Sequence, residues 1–339
     1  MGVDQHARDV VVSVQEDGSV PQRGQKMSGR ELVSVAKRLV EGGKQVHVCY
    51  ESGPCGYWLY RELLAAGVNA YVVAPKAMGG AKKQKTDQLD AQALCDALDR
   101  YQRGNPKAFT VVRVPSEEQE RERNRARLRA QFQKERNRWS ARGRSLLLTQ
   151  GYHVTGTWWG PRCWKQTSEG LPAWLVENLE EIRKVVQQID EQEKQLRKKL
   201  EAAAPKELPK AIGALTWVLL LREVCTWTRF KNRRQVAGYT GLCPGVAQSG
   251  TKHHDGHINR CGNPLIRKML IETVWRLVRW QPDYEPVKKL VAGVARGAAR
   301  RKLAVAAARR LAIDLWRLAT GATTAQALKL NVPAQAFSC

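Results

Sequence analysis

No C-x-x-C pair occurs among the eight cysteines, which removes the commonest zinc and dithiol-redox signatures. The cysteines, at 49, 55, 95, 163, 225, 243, 261 and 339, have mostly apolar neighbours and suit reduced, buried thiols in a cytosolic protein. No run approaches the ~18 apolar residues of a membrane span, and the opening MGVDQHARDVV lacks a signal-peptide pattern. The expectation is a cytoplasmic protein with no membrane partner. Acids are scarce as well: 32 Asp and Glu face 57 Lys and Arg, a net charge of +25 that is spread along the chain rather than confined to a tail. Solubility does not require such an imbalance. It favours a polyanionic partner, nucleic acid above all.

At 339 residues the chain exceeds what one compact core usually holds. Residues 1–114 alternate strand and helix patterns, predicting an α/β domain with a helix-covered sheet. DVVVSVQ followed by EDGS reads as a hairpin. SGRE (28–31) has capping-box spacing and opens a helix through VAKRLVEGG. QVHVCY and NAYVVAP read as strands around the helix CGYWLYRELLAAG. A basic loop, MGGAKKQK, then precedes a helix starting in KTDQLDA, and AFTVVRVP closes the domain.

Residues 115–204 form long charged helices. The first is opened by Ser116 and Gln119, and GYHVTGTWWGPRCW interrupts as a loop. The second carries Leu179, Ile182, Val186, Ile189, Leu196 and Leu200 at a and d positions, with Glu193 at one a. An intramolecular hairpin and a self-associating coiled coil both fit. Residues 205–330 are mostly helical: LPKAIGALTWVLLLREV resembles a helix-hairpin-helix turning at Gly213, and RFKNRRQVAGYTGL is a basic helix. The final long helix has an apolar stripe at Leu303, Ala307, Leu311, Leu315 and Leu318. Residues 331–339 form a tail.

Asp87 and Asp90 share the first turn of their helix, where like charges repel unless something positive lies between them. A divalent cation such as Mg²⁺, which takes hard oxygen ligands, supplies that charge. A phosphodiester site wants three or four carboxylates. Asp4 begins the first strand, in GVDQHARDVVV, and Glu51 ends another, in QVHVCYE. Each acid has an ordinary alternative: Asp87 as an N-cap, Asp90 as a solvated first-turn acid, Glu51 as a strand-end charge. Their order and element types together favour an RNase H-like quartet, with Lys82, Lys83 and Lys85 beside it for nucleic acid.

CYESGPCGYWLYREL, KTDQLDA and RFKNRRQVAGYTGLCPGVAQSGTKHHDGHINRCGNPLIRKML together resemble the insertion-sequence one-ten family of transposases. The resemblance implies a RuvC-like N-terminal domain, a coiled coil and a C-terminal transposase domain. It also implies a DEDD quartet at Asp4, Glu51, Asp87 and Asp90 holding Mg²⁺. The family's serine nucleophile falls on Ser249, in AQSG. The partners implied are double-stranded donor and target DNA, a structured guide (bridge) RNA, and three further copies of the chain in a homotetramer. The hairpin reads KAIG where relatives often have G-I-G, so Ala211 stands where glycine would give the backbone freedom.

Ser249 is the only serine between Ser168 and Ser338. A loop serine by itself is ordinarily a turn residue, and as a nucleophile it needs a base or a metal to take its proton. Arg229, Lys231, Arg233 and Arg234 on one short helix, with Lys252, Arg260, Arg267 and Lys268, read as phosphate contacts or as a solvated basic face. His253, His254 and His257 with Cys243 and Cys261 match no usual zinc spacing, so phosphate contact or acid catalysis suits the histidines better. Trp158, Trp159 and Trp164 fit base stacking and core packing equally. A hydrolytic junction nuclease using the four acids alone, and a non-catalytic nucleic-acid binder, remain alternatives.

Overall fold

Short valine-rich runs separated by turn residues build the five-stranded sheet of a first unit, Met1–Val114, and long helices dominate a second, Pro115–Cys339. The computed structural model describes residues 1–75, 86–206, 208, 210–249 and 252–331, excepting the side chains of 246–249 and 252–255. Lys82, Lys83 and Lys85, and the tail beyond 331, lie outside the described residues.

In the first unit, β1 (Gly2–Gln5), β2 (Val10–Ser13) and β3 (Gln25–Met27) run antiparallel. Asp4 therefore sits inside a strand of its own rather than at the head of the DVVV strand. The turn between β1 and β2 is closed by the His6 amide donating to the Asp9 carbonyl at 2.9 Å. α1 (Gly29–Glu41) starts at the expected capping box, Ser28 with Glu31. β4 (His47–Glu51), α2 (Trp58–Ala65) and β5 (Asn69–Val73) follow, with β4 parallel to β1 and β5 parallel to β4. The strand order is β3-β2-β1-β4-β5, and residues 110–112 add an antiparallel bridge beyond β5, Val73 to Val111. α3 (Asp87–Gln102) is capped by Thr86.

Alternation assigns the two faces of the sheet. Val3, Val10, Val12, Val48, Tyr50 and Val72 pack in one cluster with Leu32, Leu59 and Leu63 of α1 and α2. Cys49 and Val73 pack on the opposite side with Leu98 of α3. Gly2 belongs to that second face, and a Cβ there would lie 2.2 Å from the Cys95 nitrogen and 2.3 Å from the Ala91 oxygen. Only glycine lets α3 approach β1 this closely.

In the second unit, α4 (Glu117–Thr149) opens on the expected Ser116–Gln119 box. At the end of the segment expected as a loop, 151–164, the chain already enters α5 (Pro161–Ser168), which runs past it before α6 (Ala173–Glu201). α4 and α6 pair antiparallel within the chain. Leu147 packs with Leu175, Leu179 and Trp158 at one end, and Ala126 shares a cluster with Leu200 at the other. Between them Arg129 pairs with Glu193, and Arg136 donates to Asp190 at 2.7 Å. The heptad stripe is thus spent on α4, with its polar a position filled by an ion pair.

Trp158 is fully buried against Gly143, its Nε1 donating to the Ser140 carbonyl at 3.0 Å. It is a core residue and cannot stack on a base. Trp164 lies under the Arg183 guanidinium, 5.1 Å from the ring centre.

Next comes α7 (Ala214–Val224), preceded by coil. Its N-cap, Gly213, has φ −73°, whereas the left-handed position belongs to Ala211 at φ +71°. The tight turn therefore falls two residues earlier than expected. α8 (Arg233–Thr240) is followed by a hairpin of β6 (Pro244–Ser249) and β7 (Lys252–Ile258). α9 (Pro264–Trp280), α10 (Lys288–Val291), α11 (Gly297–Ala319) and α12 (Ala325–Leu328) complete the unit. Leu270, Val274, Leu277, Tyr284, Leu311 and Leu315 lie at its core. Among the described residues no helix is long and apolar enough to cross a membrane.

Candidate functional site

The acids of the first unit are brought together by strand register. β1 and β4 pair Gly2 with Cys49 and Val3 with Tyr50. Two residues further on, Asp4 and Glu51 occupy neighbouring strands on the face that α3 covers. On α3, Asp87 lies one turn before Ala91, the residue whose carbonyl meets Gly2. Moving one turn back along the helix covers about 6 Å, and two residues along a strand cover about 7 Å, so Asp87 tracks Asp4. One ligand atom each from Asp4, His6 and Asp87 lie within 4.8 Å of one another. His6 Nε2 is 3.3 Å from a carboxylate oxygen of each aspartate.

Of the expected quartet, Asp4 and Asp87 join this close group. Glu51, exposed at the end of β4, and Asp90, in the first turn of α3, flank it without entering it. His6 is the member that no sequence motif singles out. It sits in the turn after β1 and meets Asp87 only because α3 folds over Gly2. The donor set fits a divalent cation: two clustered carboxylates carry opposing charge that needs a counter-charge, and oxygen plus imidazole ligands suit a first-row or alkaline-earth ion.

The second unit holds the other candidates. Ser249 is the last residue of β6 and pairs with Lys252, so it ends a strand rather than lying in a loop. The side chains of Ser249, Lys252, His253 and His254 lie outside the described residues. The base of the hairpin is a backbone contact. A Cβ on Gly262 would be 2.2 Å from the Gly241 nitrogen and 2.4 Å from the Tyr239 oxygen. Arg267 Nη1 donates to the Thr240 carbonyl at 3.3 Å, so this half-buried arginine braces the base. Asn263 Nδ2 donates to the buried Glu223 carboxylate at 2.6 Å, which also receives Arg127 Nε at 3.0 Å.

Arg229, Lys231, Arg233 and Arg234 do not share one helix. Arg229 ends a 3₁₀ turn and lies over the Phe230 and Tyr239 rings, at 5.3 and 4.8 Å. Lys231 precedes the N-cap Asn232, and only Arg233 and Arg234 open α8. Lys231, Arg233, Arg234 and Arg260 line one cavity of about 1550 Å³ with His257. Exposed Lys268 stands apart, 3.8 Å from Glu272.

Residues 1–152 match the domain model DEDD_Tnp_IS110, described as a transposase, and residues 209–288 match that described as the transposase IS116/IS110/IS902 family. The chain is 29% identical over 320 residues to y4rJ of Sinorhizobium fredii, named as a transposase, covering 84% of this chain and 80% of the relative. It is 24% identical over 296 residues to the transposase for insertion sequence element IS1533 of Leptospira borgpetersenii, covering 81% and 84%. The two matched domains fall on the two regions that carry the clustered acids and the serine hairpin, and the chain belongs to the IS110/IS116/IS902 family of transposases.

Proposed function

We propose that the protein is a cytoplasmic, RNA-guided DNA recombinase in which Ser249 is the nucleophile and the N-terminal acids form the metal site of an RNase H-like domain. The strand order with its antiparallel meander, followed by two parallel strands, supports that fold assignment. The observation that carries the proposal is the convergence of Asp4, His6 and Asp87 to within 4.8 Å of one another, in a chain whose family acts on DNA.

Asp4 and Asp87, with Glu51 and Asp90 beside them, would hold Mg²⁺. When bound, that ion offsets negative charge developing at phosphorus and on the leaving oxygen. Ser249 Oγ attacks a DNA phosphodiester as its proton passes to a carboxylate of the N-terminal site. The P–O3′ bond breaks, the 3′ oxygen takes up a proton, and a phosphoserine remains. Attack by another strand's 3′-hydroxyl on that linkage reseals DNA and returns the proton to the serine. Arginine side chains grip the backbone and leave sequence reading to a bridge RNA. The working assembly is a tetramer using surfaces other than the heptad stripe, which α4 covers.

The test is a denaturing gel of protein incubated with element-end DNA, Mg²⁺ and the RNA that co-purifies. Wild type should give a covalent protein–DNA band. Ser249→Ala should abolish it, and Asp87→Asn should reduce it at least about 100-fold while DNA binding persists. Strand breaks without a covalent band in wild type would sink the nucleophile assignment in favour of simple hydrolysis.

A further inference from the structure

The cavity beside α8 has a second wall. Arg301, Lys302 and Arg309 of α11 line it together with the four cations already named, and among the described residues no Asp or Glu does. None of these seven forms an ion pair with a described residue. Two more, Arg310 and Arg317, are partnered by buried Asp314, at 3.0 and 3.6 Å. Nine cations converging on one concavity repel one another, and an arriving polyanion relieves that cost. Between the cations the floor is apolar: Leu242, Val305, Ala306, Ile313 and Trp316. A duplex keeps its base faces stacked inside and has little to offer such a floor. An unpaired strand offers phosphates to the rim and base faces to the floor.

Arg301, Arg309 and Arg317 recur every eight residues, about 12 Å apart along the helix and about 24 Å end to end. A track of that length suits the short sites, about 4–16 nucleotides, of single-strand binders. The same cavity is lined by Pro244, Gly256 and His257 of the hairpin, and Ser249 lies five residues beyond Pro244, about 17 Å along β6.

We propose that this cleft binds a single strand of DNA, holding the unpaired strand next to the phosphodiester presented to Ser249. Continuity with the serine hairpin is what favours DNA over RNA. The purpose rests on the nucleophile assignment; the binding chemistry does not.

The probe is a fluorescent deoxyoligonucleotide of about 15 nucleotides, titrated by anisotropy with full-length Ser249→Ala protein in EDTA, so that cleavage plays no part. The Arg301→Ala/Arg309→Ala double variant should bind it about 10-fold more weakly and flatten the log–log salt slope by about 1.4. Arg301→Lys/Arg309→Lys should restore most of that slope. Ala306→Asp, on an exposed floor position, should weaken the single strand while a duplex of the same sequence changes less than about threefold. Equal loss for duplex and single strand, loss only for the matching ribo-oligonucleotide, or no change with any probe would each overturn the proposal. Failure here with the covalent band intact removes only the cleft; the reverse pattern removes only the nucleophile.

Discussion

Gly2 and Ala211 show opposite uses of a missing or present methyl. At Gly2 the backbone of α3 occupies the place of a Cβ, 2.2 Å from the Cys95 nitrogen. Gly2→Ala must push helix from strand, so we expect a loss of about 1–3 kcal/mol from overpacking, read from urea unfolding. The same shift separates Asp87 from Asp4, so Mn²⁺ binding measured by calorimetry should weaken in that variant. At Ala211, φ +71° places an L-residue where glycine is preferred, a cost of about 1–2 kcal/mol. Ala211→Gly should therefore raise the urea midpoint by the equivalent of about 0.5–1 kcal/mol, the rest being offset by unfolded-state entropy. The closeness of Asp4 and Asp87 was legible because an aspartate in a first strand and another at a helix start form a recognisable order. His6 was not, since a turn histidine has no periodicity and its partner Asp87 arrives from a distant helix.

Among the elements, capped helices were the most readable. Ser28 and Ser116 both form the capping boxes that their spacing announced, because the cap is a local hydrogen-bond exchange. The β6–β7 hairpin is not legible in the sequence, since its Gly, Ser and His residues carry no strand alternation and only pairing across the hairpin defines it. For the α4–α6 pair, the heptads gave the stripe but not the partner that covers it. The ion pairs at its centre make a pH prediction. Burial alone would raise the Asp190 carboxyl, but hydrogen bonds from Lys194 and Arg136 outweigh it and hold the group below the usual carboxylate range. A depressed folded pKa contributes stability that is present above the unfolded value of about 3.9 and lost as pH falls through the folded one. Wild type should lose stability below about pH 4 by a component absent from Asp190→Asn. Urea midpoints at pH 7 and pH 3 for both proteins check this, and parallel losses would rule the component out.

Across the whole molecule the charge is less even than its spread along the sequence suggests. Residues 115–339 carry 41 Lys and Arg against 20 Asp and Glu, so 21 of the 25 surplus positive charges lie there. The cleft that gathers nine of those cations could not be read from motifs, because its walls come from α11 and from residues around α8 and the hairpin. The pinched glycines at the hairpin's foot, Gly241 and Gly262, have a consequence for reach. With no room there for even a methyl group, side-chain size cannot adjust how far the hairpin tip projects, and strand length is what remains to set it. Adding two residues to each of β6 and β7 would carry position 249 about 7 Å outward with its up–down alternation intact. We expect such a lengthened arm to fold and bind DNA yet form no covalent band, because the hydroxyl overshoots its phosphorus like a probe cut to the wrong measure.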